Sequence, residues 1–593
     1  MVKFKKTHDC GCLRISDVGQ EVVLSGWVNV RRDHGGLIFV DLRDREGITQ
    51  VVFNPQIDDA AHIIAHQLRS EYVIAVKGVV QARPLGTVNP NLITGQIEVL
   101  VYEVEILNTS KTPPFEIEDK LDASEDLRLR YRYLDLRRPK IQKNLIFRHH
   151  LCQKIREFLD RHRFIEIETP FLIKSTPEGA RDYLVPSRVN PGRFYALPQS
   201  PQLFKQILMI AGFDRYFQIV RCFRDEDLRA DRQPEFTQLD IEASFIDEEE
   251  IFELVEGLVV YIFREVLKRE IQRPFFRLKY KEAMERFGTD KPDTRFGLEI
   301  VDVTEIVKES DFQVFKRAIE KGGQVKGIKV SSLEDISKGE IDYLTSLATL
   351  YGAKGLAYFK VKEGRCDSPI AKFFDADIQR RILDSLKAEE GDLLLFVADD
   401  FRIVSESLGN LRLHLGKRLN LIPDGTFEFL WVIHHPLVEY DEEEERFKAM
   451  HHPFTSPLAE DFPSLEKNPL EVRARAYDLI LNGVEIGGGS IRIHQEEIQK
   501  QIFGLLGISP REAEEKFGFL LEAFTYGAPP HGGIALGLDR LLRIMLNLDS
   551  IREVIAFPKT QSATCLMTGA PFEATQQQLK ELNIRLDLPC NGA

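Results

Sequence analysis

The chain has 593 residues, so several domains are expected, and its formal net charge of −14 argues against wholesale electrostatic binding to nucleic acid, DNA included. No apolar run reaches membrane-spanning length, and no signal peptide opens the chain. These two features predict that the protein does not associate with a membrane. Seven scattered cysteines favour free thiols, and hence a cytoplasmic location, over a disulfide framework or a zinc site.

The first part of the chain alternates short β-rich runs with turns over residues 20–106. Such spacing predicts a small all-β barrel. Arg31, Arg32 and Arg43 accompany Phe39 in this region. Basic residues interleaved with an exposed aromatic ring suit single-stranded RNA, which binds by stacking and phosphate contacts. A barrel with ordinary surface arginines remains the alternative.

A helical region follows the barrel. Consecutive prolines make residues 111–115 a stiff linker, and the basic run over 128–138 could face RNA. Apolar residues at helical spacing predict a helix over roughly 141–163. The alternating stretch 165–168 reads as a strand that Pro170 stops.

Residues 223–240 are too charged for a core strand and too ordered in residue type for a linker. Arg224 and Glu226 share one face of an extended chain. Three residues after the following turn also share one face: Phe236, Gln238 and Asp240. This predicts a hairpin that binds a nucleotide, with Arg on phosphate and an aromatic ring on the base. A surface hairpin with paired charges is the alternative.

The chain changes character over residues 290–425. Three runs there look like strands between helical stretches, and no catalytic constellation is visible: GGQVKGIKV, AKGLAYFKV and GDLLLFVADD. This segment is therefore expected to be an insertion.

Two carboxylates flank a predicted turn near the end of the chain. Asp478 and Glu485 are seven residues apart around Asn482-Gly483. Such a pair can hold Mg²⁺ on ATP phosphates. The glycines over 487–489 allow close approach of a ligand, and Arg492 follows on the same strand. A glycine loop is the alternative.

A glycine-marked strand over 532–537 runs into a helix with Arg540 near its start, where anions are favoured. Neither a G-x-x-x-x-G-K-[ST] loop nor a G-x-G-x-x-G fingerprint appears. His451 and His452 could suggest a metal, but neighbouring side chains of an extended segment point opposite ways, so we expect none there.

The order of these pieces resembles the class II aminoacyl-tRNA synthetases, in their aspartyl branch. The helix, strand and proline after residue 140 resemble motif 1, FRDEDLRADRQPEFTQLD resembles motif 2, and GGIALGLDR resembles motif 3. The resemblance implies an α+β multidomain fold with these parts: an OB-fold anticodon-binding β-barrel over 1–110, a hinge over 111–138, a catalytic domain with an antiparallel sheet over 139–289 and 426–559, a bacterial-type α/β insertion domain over 290–425, and a C-terminal extension over 560–593.

The resemblance also implies residue roles. The catalytic residues are Arg224, Arg540 and Glu485, and Asp478 with Glu485 would hold Mg²⁺. The implied ATP contacts are Arg224, Asp225, Glu226, Gln233, Phe236, Glu485, Gly537, Leu538, Asp539 and Arg540. The implied L-aspartate contacts are Glu178, Gln199, Gln202, Lys205, Arg224, Asp240, His451 and Arg492. The implied anticodon contacts are Arg32, Phe39, Gln50 and Glu98.

The implied reaction activates L-aspartate with ATP to aspartyl-adenylate and transfers aspartate to the 3′ end of tRNA. Arg492 and Lys205 form the expected cationic pocket for the substrate β-carboxylate. Asparaginyl and lysyl enzymes share the motifs, but a lysyl pocket should place acids where Arg492 stands, and the large insertion argues against an asparaginyl enzyme. A non-catalytic tRNA-binding paralogue should lack Arg224, Glu485 or Arg540, and all three are present.

Two barrel positions bear on the choice of tRNA. His34 and Gly86 resemble the family members that charge both tRNA(Asp) and tRNA(Asn), whereas members restricted to tRNA(Asp) tend to carry Leu and Lys there. A relaxed enzyme would depend on a partner amidotransferase to convert Asp-tRNA(Asn). A strictly tRNA(Asp)-specific enzyme is the alternative. The motif 1 resemblance also implies a homodimer.

Overall fold

The structure is a computed structural model that describes residues 4–176, 180–227, 231–333 and 335–588. It divides into two compact units, one of residues 1–147 with 552–572 and one of residues 148–551 with 573–593. The division falls inside the helix Pro139–Arg161. None of the described helices is both long and apolar enough to span a membrane.

The first unit contains a closed five-stranded barrel, as the alternating runs predict. Inward-facing side chains such as Val22, Leu24 and Val28 recur at every second or fourth position of its first strand and fill a continuous apolar core, and Ser25 and Trp27 between them are only partly buried. The strands, in their order around the barrel, are Glu21–His34, Leu37–Arg43, Ile48–Phe53, Ile97–Asn108 and Val73–Ala82. The helices of this unit are Asp59–Gln67, Glu125–Arg130 and Arg132–Asp135.

Several basic residues of the first unit are used inside it. Arg43 is buried and donates to both carboxylate oxygens of Glu71 at 2.7 and 2.8 Å, and Arg137 also reaches Glu71 at 2.7 Å. Arg132 and Arg138 are buried against Asp135. The prediction that Arg43 and the basic run over 128–138 face RNA is therefore wrong for the three buried arginines, Arg43, Arg132 and Arg138, because each is buried in an ion pair with a carboxylate. Arg137 is partly exposed, and the prediction for it stays a prediction.

The second unit is built on an eight-stranded sheet. Its neighbours pair antiparallel except at the two edges, where one parallel pair each is found, so the predicted antiparallel catalytic sheet is confirmed. The strands in spatial order are Phe276–Lys279, Phe429–Ile433, Ala476–Leu481, Val484–Ile491, His531–Gly537, Glu235–Ser244, Arg215–Phe223 and Ile165–Glu166.

Helices pack around this sheet. The predicted motif 1 helix spans Pro139–Arg161 and buries Leu151, Ile155 and Leu159, as its apolar periodicity predicts. The helix Glu248–Ile262 starts at a capping box made by Asp247 and Glu250. The other helices of this part are Gln202–Ile210, Tyr280–Phe287, Glu496–Leu505, Pro510–Phe524, Leu538–Met545 and Gln576–Glu581. Two short hairpins complete it: Leu184–Pro186 with Phe194–Ala196, and Val438–Asp441 with Arg446–Ala449.

The expected insertion forms a separate five-stranded antiparallel sheet within the second unit. Helices cover both of its faces, so it has two apolar cores. The strands in spatial order are Ile300–Asp302, Gln324–Val330, Leu393–Asp399, Ala357–Lys362 and Arg365–Asp367. The helices are Thr304–Val307, Gln313–Glu320, Lys338–Leu350, Ala376–Leu386 and Phe401–Arg418. All three predicted strand runs are confirmed, while the exact domain boundaries stay predictions.

Candidate functional site

A cavity of about 490 Å³ opens on the eight-stranded sheet. Among the residues that the structure describes, five of its lining side chains carry a buried polar atom without a hydrogen-bond partner: Gln202 Nε2, Arg224 Nε, Asp240 Oδ2, His435 Nδ1 and His451 Nε2. Buried polar groups are normally satisfied, so a cluster of unsatisfied ones in one cavity indicates a binding site. All of them except His435 belong to the predicted contact set.

The predicted nucleotide-binding hairpin forms one wall. It consists of the strands Arg215–Phe223 and Glu235–Ser244, and Arg224 lies just beyond the first strand rather than on it. The Arg224 guanidinium carbon is 5.1 Å from the centre of the Phe236 ring. This is a cation–π distance, and it places a phosphate-binding charge beside a surface for base stacking. The predicted common face is confirmed, since Phe236, Gln238 and Asp240 all line the cavity.

Lys205, Asp240 and Arg492 line the floor of the cavity, and Glu242 is buried against the two cations. Arg492 donates to both oxygens of Glu242 at 2.9 and 3.1 Å, and Lys205 Nζ is 2.9 Å from Asp240 Oδ1 and 3.4 Å from Glu242 Oε2. The four side chains are almost fully buried. Arg492 and Lys205 lie close together, as predicted, but the sequence did not indicate that Glu242 pairs with them. Glu242 is two residues after Asp240 on the same strand and so shares its face, and this alternation could have identified it.

The charges on this floor are balanced. Burial alone would raise the pKa of Glu242, but Arg492 and then Lys205 outweigh burial and hold that pKa below its usual value. Two cationic side chains therefore face two acidic ones at this floor. One ammonium and one carboxylate of an amino acid can then enter at this floor without adding a net buried charge there.

His452 holds Arg492 in place. Its Nε2 is 2.5 Å from Arg492 Nη1, and Ser490 Oγ accepts from the same nitrogen at 2.7 Å. Burial and the Arg492 charge lower the pKa of His452 well below its usual value. The ring is therefore neutral and can accept this hydrogen bond. The sequence indicated only the first histidine of the pair as a contact, so His452 is a residue it missed.

His451 points to the opposite side, as the extended backbone predicts. Its Nδ1 lies 4.0 Å from Asp478 Oδ1, and its ring centre is 4.6 Å from that of His435. One ligand atom each from His435, His451 and Asp478 lies within 4.8 Å of the others. Burial lowers the pKa of His435 to about 4, so that ring is neutral near pH 7. Adjacency in sequence could not indicate this cluster, because its histidines come from different segments.

Asp478 and Glu485 lie on a hairpin, as predicted, in the strands Ala476–Leu481 and Val484–Ile491. A Cβ atom at Gly488 would stand 2.7 Å from Asp478 Oδ1 and 3.9 Å from Glu485 Oε1. The absent side chain therefore leaves space between the carboxylates, which fits Mg²⁺ with phosphate oxygens as further ligands. Burial raises the pKa of Asp478 to about 7, and Glu485 adds to the rise.

This raised pKa predicts a stability effect of Asp478→Asn. The contribution of Asp478 to stability is fully present below its ordinary pKa of 3.8 and is lost as the pH rises through about 7. Asparagine does not ionise, so we expect the variant to gain a few degrees in melting temperature over the parent as the pH rises from about 5 to about 8. Thermal melts of the ligand-free protein at constant salt measure this. A pH-independent difference would contradict the assigned burial.

Arg540 follows the strand His531–Gly537 and lies in the first turn of Leu538–Met545. Its Nη1 donates to the backbone carbonyl of Glu485 at 2.6 Å, and its Nη2 is 3.6 Å from Asp231 Oδ2. Asp539 accepts from the backbone N–H of Thr237 at 2.8 Å and pairs with Arg148. Arg540 thus lies at the Glu485 end of the cavity, while Asp539 fastens the helix start to the sheet.

The other expected contacts divide into three groups. Gln199, Gln233, Glu226 and Gly537 line the cavity with those already described. Asp225 is exposed and Leu538 is buried, and neither lines the cavity, which places both away from the expected nucleotide position. Glu178 lies outside the described residues.

The four expected anticodon residues gather on one face of the barrel. Arg32 pairs with Asp41 at 2.8 Å and donates to Gln50 at 3.3 Å, and Gln50 donates to Glu98 at 2.9 Å. Phe39 is directly opposite Arg32 on the neighbouring strand. This arrangement offers a half-exposed arginine, an aromatic ring and hydrogen-bonding groups together, which suits a single-stranded base.

His34 and Gly86 lie in two exposed turns of the barrel. His34 ends the strand Glu21–His34 and is exposed. Gly86 has φ of +86° in a turn closed by the Thr87 N–H to the Pro84 carbonyl, and a Cβ there would meet nothing within 4 Å. Space is therefore available at Gly86, but an L side chain would strain the turn.

Two family models match the chain. Residues 124–561 match the model described as tRNA synthetases class II (D, K and N), and residues 22–107 match an OB-fold nucleic acid binding domain. Together they cover the barrel and the sheet that carries the cavity.

Similar proteins match over almost the full length. One from Caldanaerobacter subterraneus subsp. tengcongensis, named aspartate–tRNA(Asp/Asn) ligase, is 58% identical over 98% of this chain and 99% of that protein. A relative of the same name from Heliobacterium modesticaldum is 59% identical over 99% of this chain and 97% of that protein. A solved Pyrococcus horikoshii asparaginyl-tRNA synthetase complexed with asparaginyl-adenylate has a TM-score of 0.59 at 21% identity, over 94% of this chain and 99% of that chain, a likeness of fold.

Proposed function

The chain belongs to the class II tRNA synthetases, and we propose that within this family it is an aspartate–tRNA ligase. The observation that carries the proposal is the balanced floor of Lys205, Asp240, Glu242 and Arg492 beside the nucleotide wall of Arg224. The free Asp240 Oδ2 accepts from the substrate ammonium. Arg492 and Lys205 meet its β-carboxylate, which an asparagine amide would match less well because it has no charge.

The reaction needs no nucleophilic side chain. An α-carboxylate oxygen of aspartate forms a bond to the α-phosphorus of ATP, the bond from that phosphorus to pyrophosphate breaks, and aspartyl-adenylate results. A hydroxyl at the 3′ end of tRNA then attacks the acyl carbon, and AMP leaves. Arg224 and Arg540 position the phosphates and stabilise the charge that develops on them.

Asp478 and Glu485 are the residues that would hold Mg²⁺ in this site. When bound, the ion would neutralise charge on the ATP phosphates. Glu485 is well suited because its pKa is lowered: burial opposes ionisation, but Lys291 and then Arg540 outweigh burial. Phe236 stacks on adenine and Glu226 accepts from the adenine amino group in the proposed pose.

Aspartate-dependent ATP–pyrophosphate exchange tests this function. We expect exchange with L-aspartate, and little with L-asparagine or L-lysine, because both lack the second carboxylate that Arg492 would bind. Exchange with lysine or asparagine in preference to aspartate would overturn the assigned specificity. No exchange with any of the three would overturn the proposed activity.

We also propose that the enzyme charges both tRNA(Asp) and tRNA(Asn), working with an amidotransferase that converts Asp-tRNA(Asn). The similar proteins named aspartate–tRNA(Asp/Asn) ligase support this, as do the exposed His34 and the open space at Gly86. A turn without a side chain at Gly86 makes no base-dependent contact. The cysteines of the described segments are all free, which supports a cytoplasmic location.

The choice of tRNA has a direct test. The parent enzyme should charge both purified tRNAs with aspartate. His34→Leu and Gly86→Lys should each lower the charging of tRNA(Asn) relative to tRNA(Asp) by about tenfold, which is the effect on affinity expected for one charge-assisted hydrogen bond. Gly86→Ala is the matched control, because it imposes the same strained turn without the lysine charge. A parent enzyme that charges only tRNA(Asp) would contradict the proposal.

We expect a homodimer in solution. The motif 1 region supports this, because Ile165, Phe171 and Leu172 are large apolar side chains that remain 43–54% exposed in the single chain. Light scattering at micromolar concentration should therefore give twice the chain mass. A fully active monomer under the same conditions would refute the prediction, and Phe171→Ser with Leu172→Ser should shift the equilibrium toward monomer.

A further inference from the structure

The segment over residues 288–297, which joins the catalytic part to the insertion, reaches into the cavity. Lys291 lines the cavity, and its Nζ is 3.0 Å from Glu485 Oε2 and 3.8 Å from Asp290 Oδ2. Lys291 therefore brings an ammonium group to the end of the cavity that contains Glu485.

We propose that Lys291 binds the β- and γ-phosphates of ATP, and hence the pyrophosphate that leaves, and that the insertion domain holds it there through Arg412. This proposal rests on the proposed function and adds a residue to its ATP site. Lys291 and Arg540 flank Glu485 from two sides, one on its carboxylate and one on its backbone carbonyl. Two cations at one end of a cavity suit a polyphosphate.

The ion pair with Glu485 is compatible with movement of Lys291. Its side chain is 41% exposed, and a lysine ammonium reorients on a flexible stem. A divalent cation on the Glu485 carboxylate would repel the ammonium from it. Phosphate oxygens of bound ATP would then attract the ammonium, so Lys291 would exchange the Glu485 carboxylate in the free enzyme for phosphates in the complex.

Arg412, in the insertion helix Phe401–Arg418, holds the segment that carries Lys291. It is fully buried, and its Nη2 donates to the backbone carbonyls of Asp293 and Phe296 at 2.7 and 2.9 Å. Its guanidinium carbon is 4.1 Å from the centre of the Phe296 ring and 5.0 Å from that of Phe287. Hydrogen bonds and ring contacts thus fix the segment on both sides of the arginine.

Glycines bring the helix and the segment into backbone contact. A Cβ at Gly288, which has φ of +69°, would stand 2.3 Å from the carbonyl oxygen of Ser405. A Cβ at Gly409 would stand 2.9 Å from the carbonyl oxygen of Gly288, and one at Gly416 would stand 2.6 Å from the Phe296 ring. Side chains at these positions would force the segment off the helix, so the absence of a Cβ is required for this packing.

The same segment also contacts the hairpin with the two carboxylates. A Cβ at Gly483, in the turn between Asp478 and Glu485, would stand 2.8 Å from the Cβ of Asp293. Asp293 in turn is buried and pairs with Arg295 at 2.7 Å. The insertion helix, the Lys291 segment and the carboxylate hairpin are therefore packed in series, which gives the insertion a role in ATP binding.

Isothermal titration with ATP, inorganic pyrophosphate, AMP and L-aspartate at fixed Mg²⁺ tests Lys291. We expect Lys291→Met to lower the affinity for ATP and for pyrophosphate about 10- to 100-fold, as for loss of one charge-assisted hydrogen bond. The affinities for AMP and aspartate should stay within about twofold of those of the parent. Lys291→Arg should restore most of the ATP affinity. The matched control is Lys281→Met, which removes an exposed lysine of the preceding helix.

Unchanged ATP and pyrophosphate affinities in Lys291→Met would overturn the proposal. Equal losses for AMP, aspartate and ATP would overturn it too, because they would indicate collapse of the segment rather than a missing phosphate contact. A parent enzyme that binds ATP but lacks aspartate-dependent exchange would instead refute the proposed function, so the two failures can be told apart.

The part played by the insertion is tested in the same titrations. We expect Arg412→Met to lower the affinity for ATP about tenfold and to leave the affinity for AMP unchanged. The control variant Arg402→Met, on the exposed side of the same helix, should change neither affinity. If Arg412→Met does not fold, Gly416→Ala displaces Phe296 by contact and should have the same selectivity. Unchanged ATP affinity in either folded variant would overturn the assignment of this role to the insertion.

Discussion

Replacing Arg492 by alanine is expected to abolish aspartate activation while ATP binding survives. Arg492 is buried with Glu242, so its removal leaves that carboxylate facing only Lys205 at 3.4 Å and removes the proposed partner of the substrate β-carboxylate. Truncating one partner of a buried, hydrogen-bonded charge pair costs about 2–5 kcal/mol of binding free energy, which is roughly 30- to several-thousand-fold in aspartate-dependent exchange. ATP–pyrophosphate exchange with saturating aspartate measures the loss. Near-normal exchange would refute the pocket assignment.

A double-variant cycle separates the effect on substrate from the effect on stability. Arg492→Met alone should lower the melting temperature, because Glu242 loses its main partner and then shares the single cation Lys205 with Asp240. Adding Glu242→Gln should recover much of that stability, since both charges are then gone, but it should not recover exchange. Arg492→Lys keeps the charge without the two-pronged hydrogen bond and is expected to fall between the parent and Arg492→Met.

Replacing Arg224 by alanine is expected to remove adenylate formation without weakening tRNA binding. Arg224 Nε has no partner among the residues that the structure describes, and the guanidinium stands over Phe236 at 5.1 Å, ready to meet the α-phosphate and the substrate carboxylate. Loss of such an electrostatic contact costs about 100- to 1,000-fold in rate. Arg540→Ala should have a comparable effect, because it removes the charge expected at the γ-phosphate.

Rapid quench of single-turnover adenylate formation and fluorescence anisotropy with labelled tRNA measure the two halves of this prediction. Arg221→Ala is the matched control, because Arg221 lies on the strand that leads to Arg224, pairs with Glu235 at 2.7 Å and does not line the cavity. Adenylate formation by Arg224→Ala at the parent rate would disprove the role assigned to it.

The parts of the fold that depend on neighbouring residues could be predicted from the sequence. The alternation of Phe236, Gln238 and Asp240 follows from the two-residue period of a strand, and the turn at Asn482-Gly483 follows from residues that tolerate a positive φ. These local rules identified the nucleotide hairpin and the carboxylate hairpin. They also predicted the barrel, since its strands are joined by short turns.

The pairs that set the electrostatics of the site could not be predicted in this way. Arg492 and Glu242 are 250 residues apart in the sequence. Arg43 was expected on the surface, but it is buried in an ion pair with Glu71. Lys291 lies at the start of the predicted insertion over 290–425, in a stretch without a visible motif, yet it reaches Glu485. No local period links such residues, because their proximity depends on how strands from distant segments pair in one sheet.

The sequence by itself therefore determined the family, the barrel, the antiparallel sheet and most side chains around the cavity, because motif spacing and strand alternation are properties of short stretches. Only the tertiary structure decided which charges are neutralised and which are free. In the structure Arg492 is buried against Glu242, and His452 Nε2 contacts that arginine. Asp240 Oδ2 has no hydrogen-bond partner among the described residues. The physical reason is that the energy of a buried charge depends on its neighbours in space, which the order of residues does not specify.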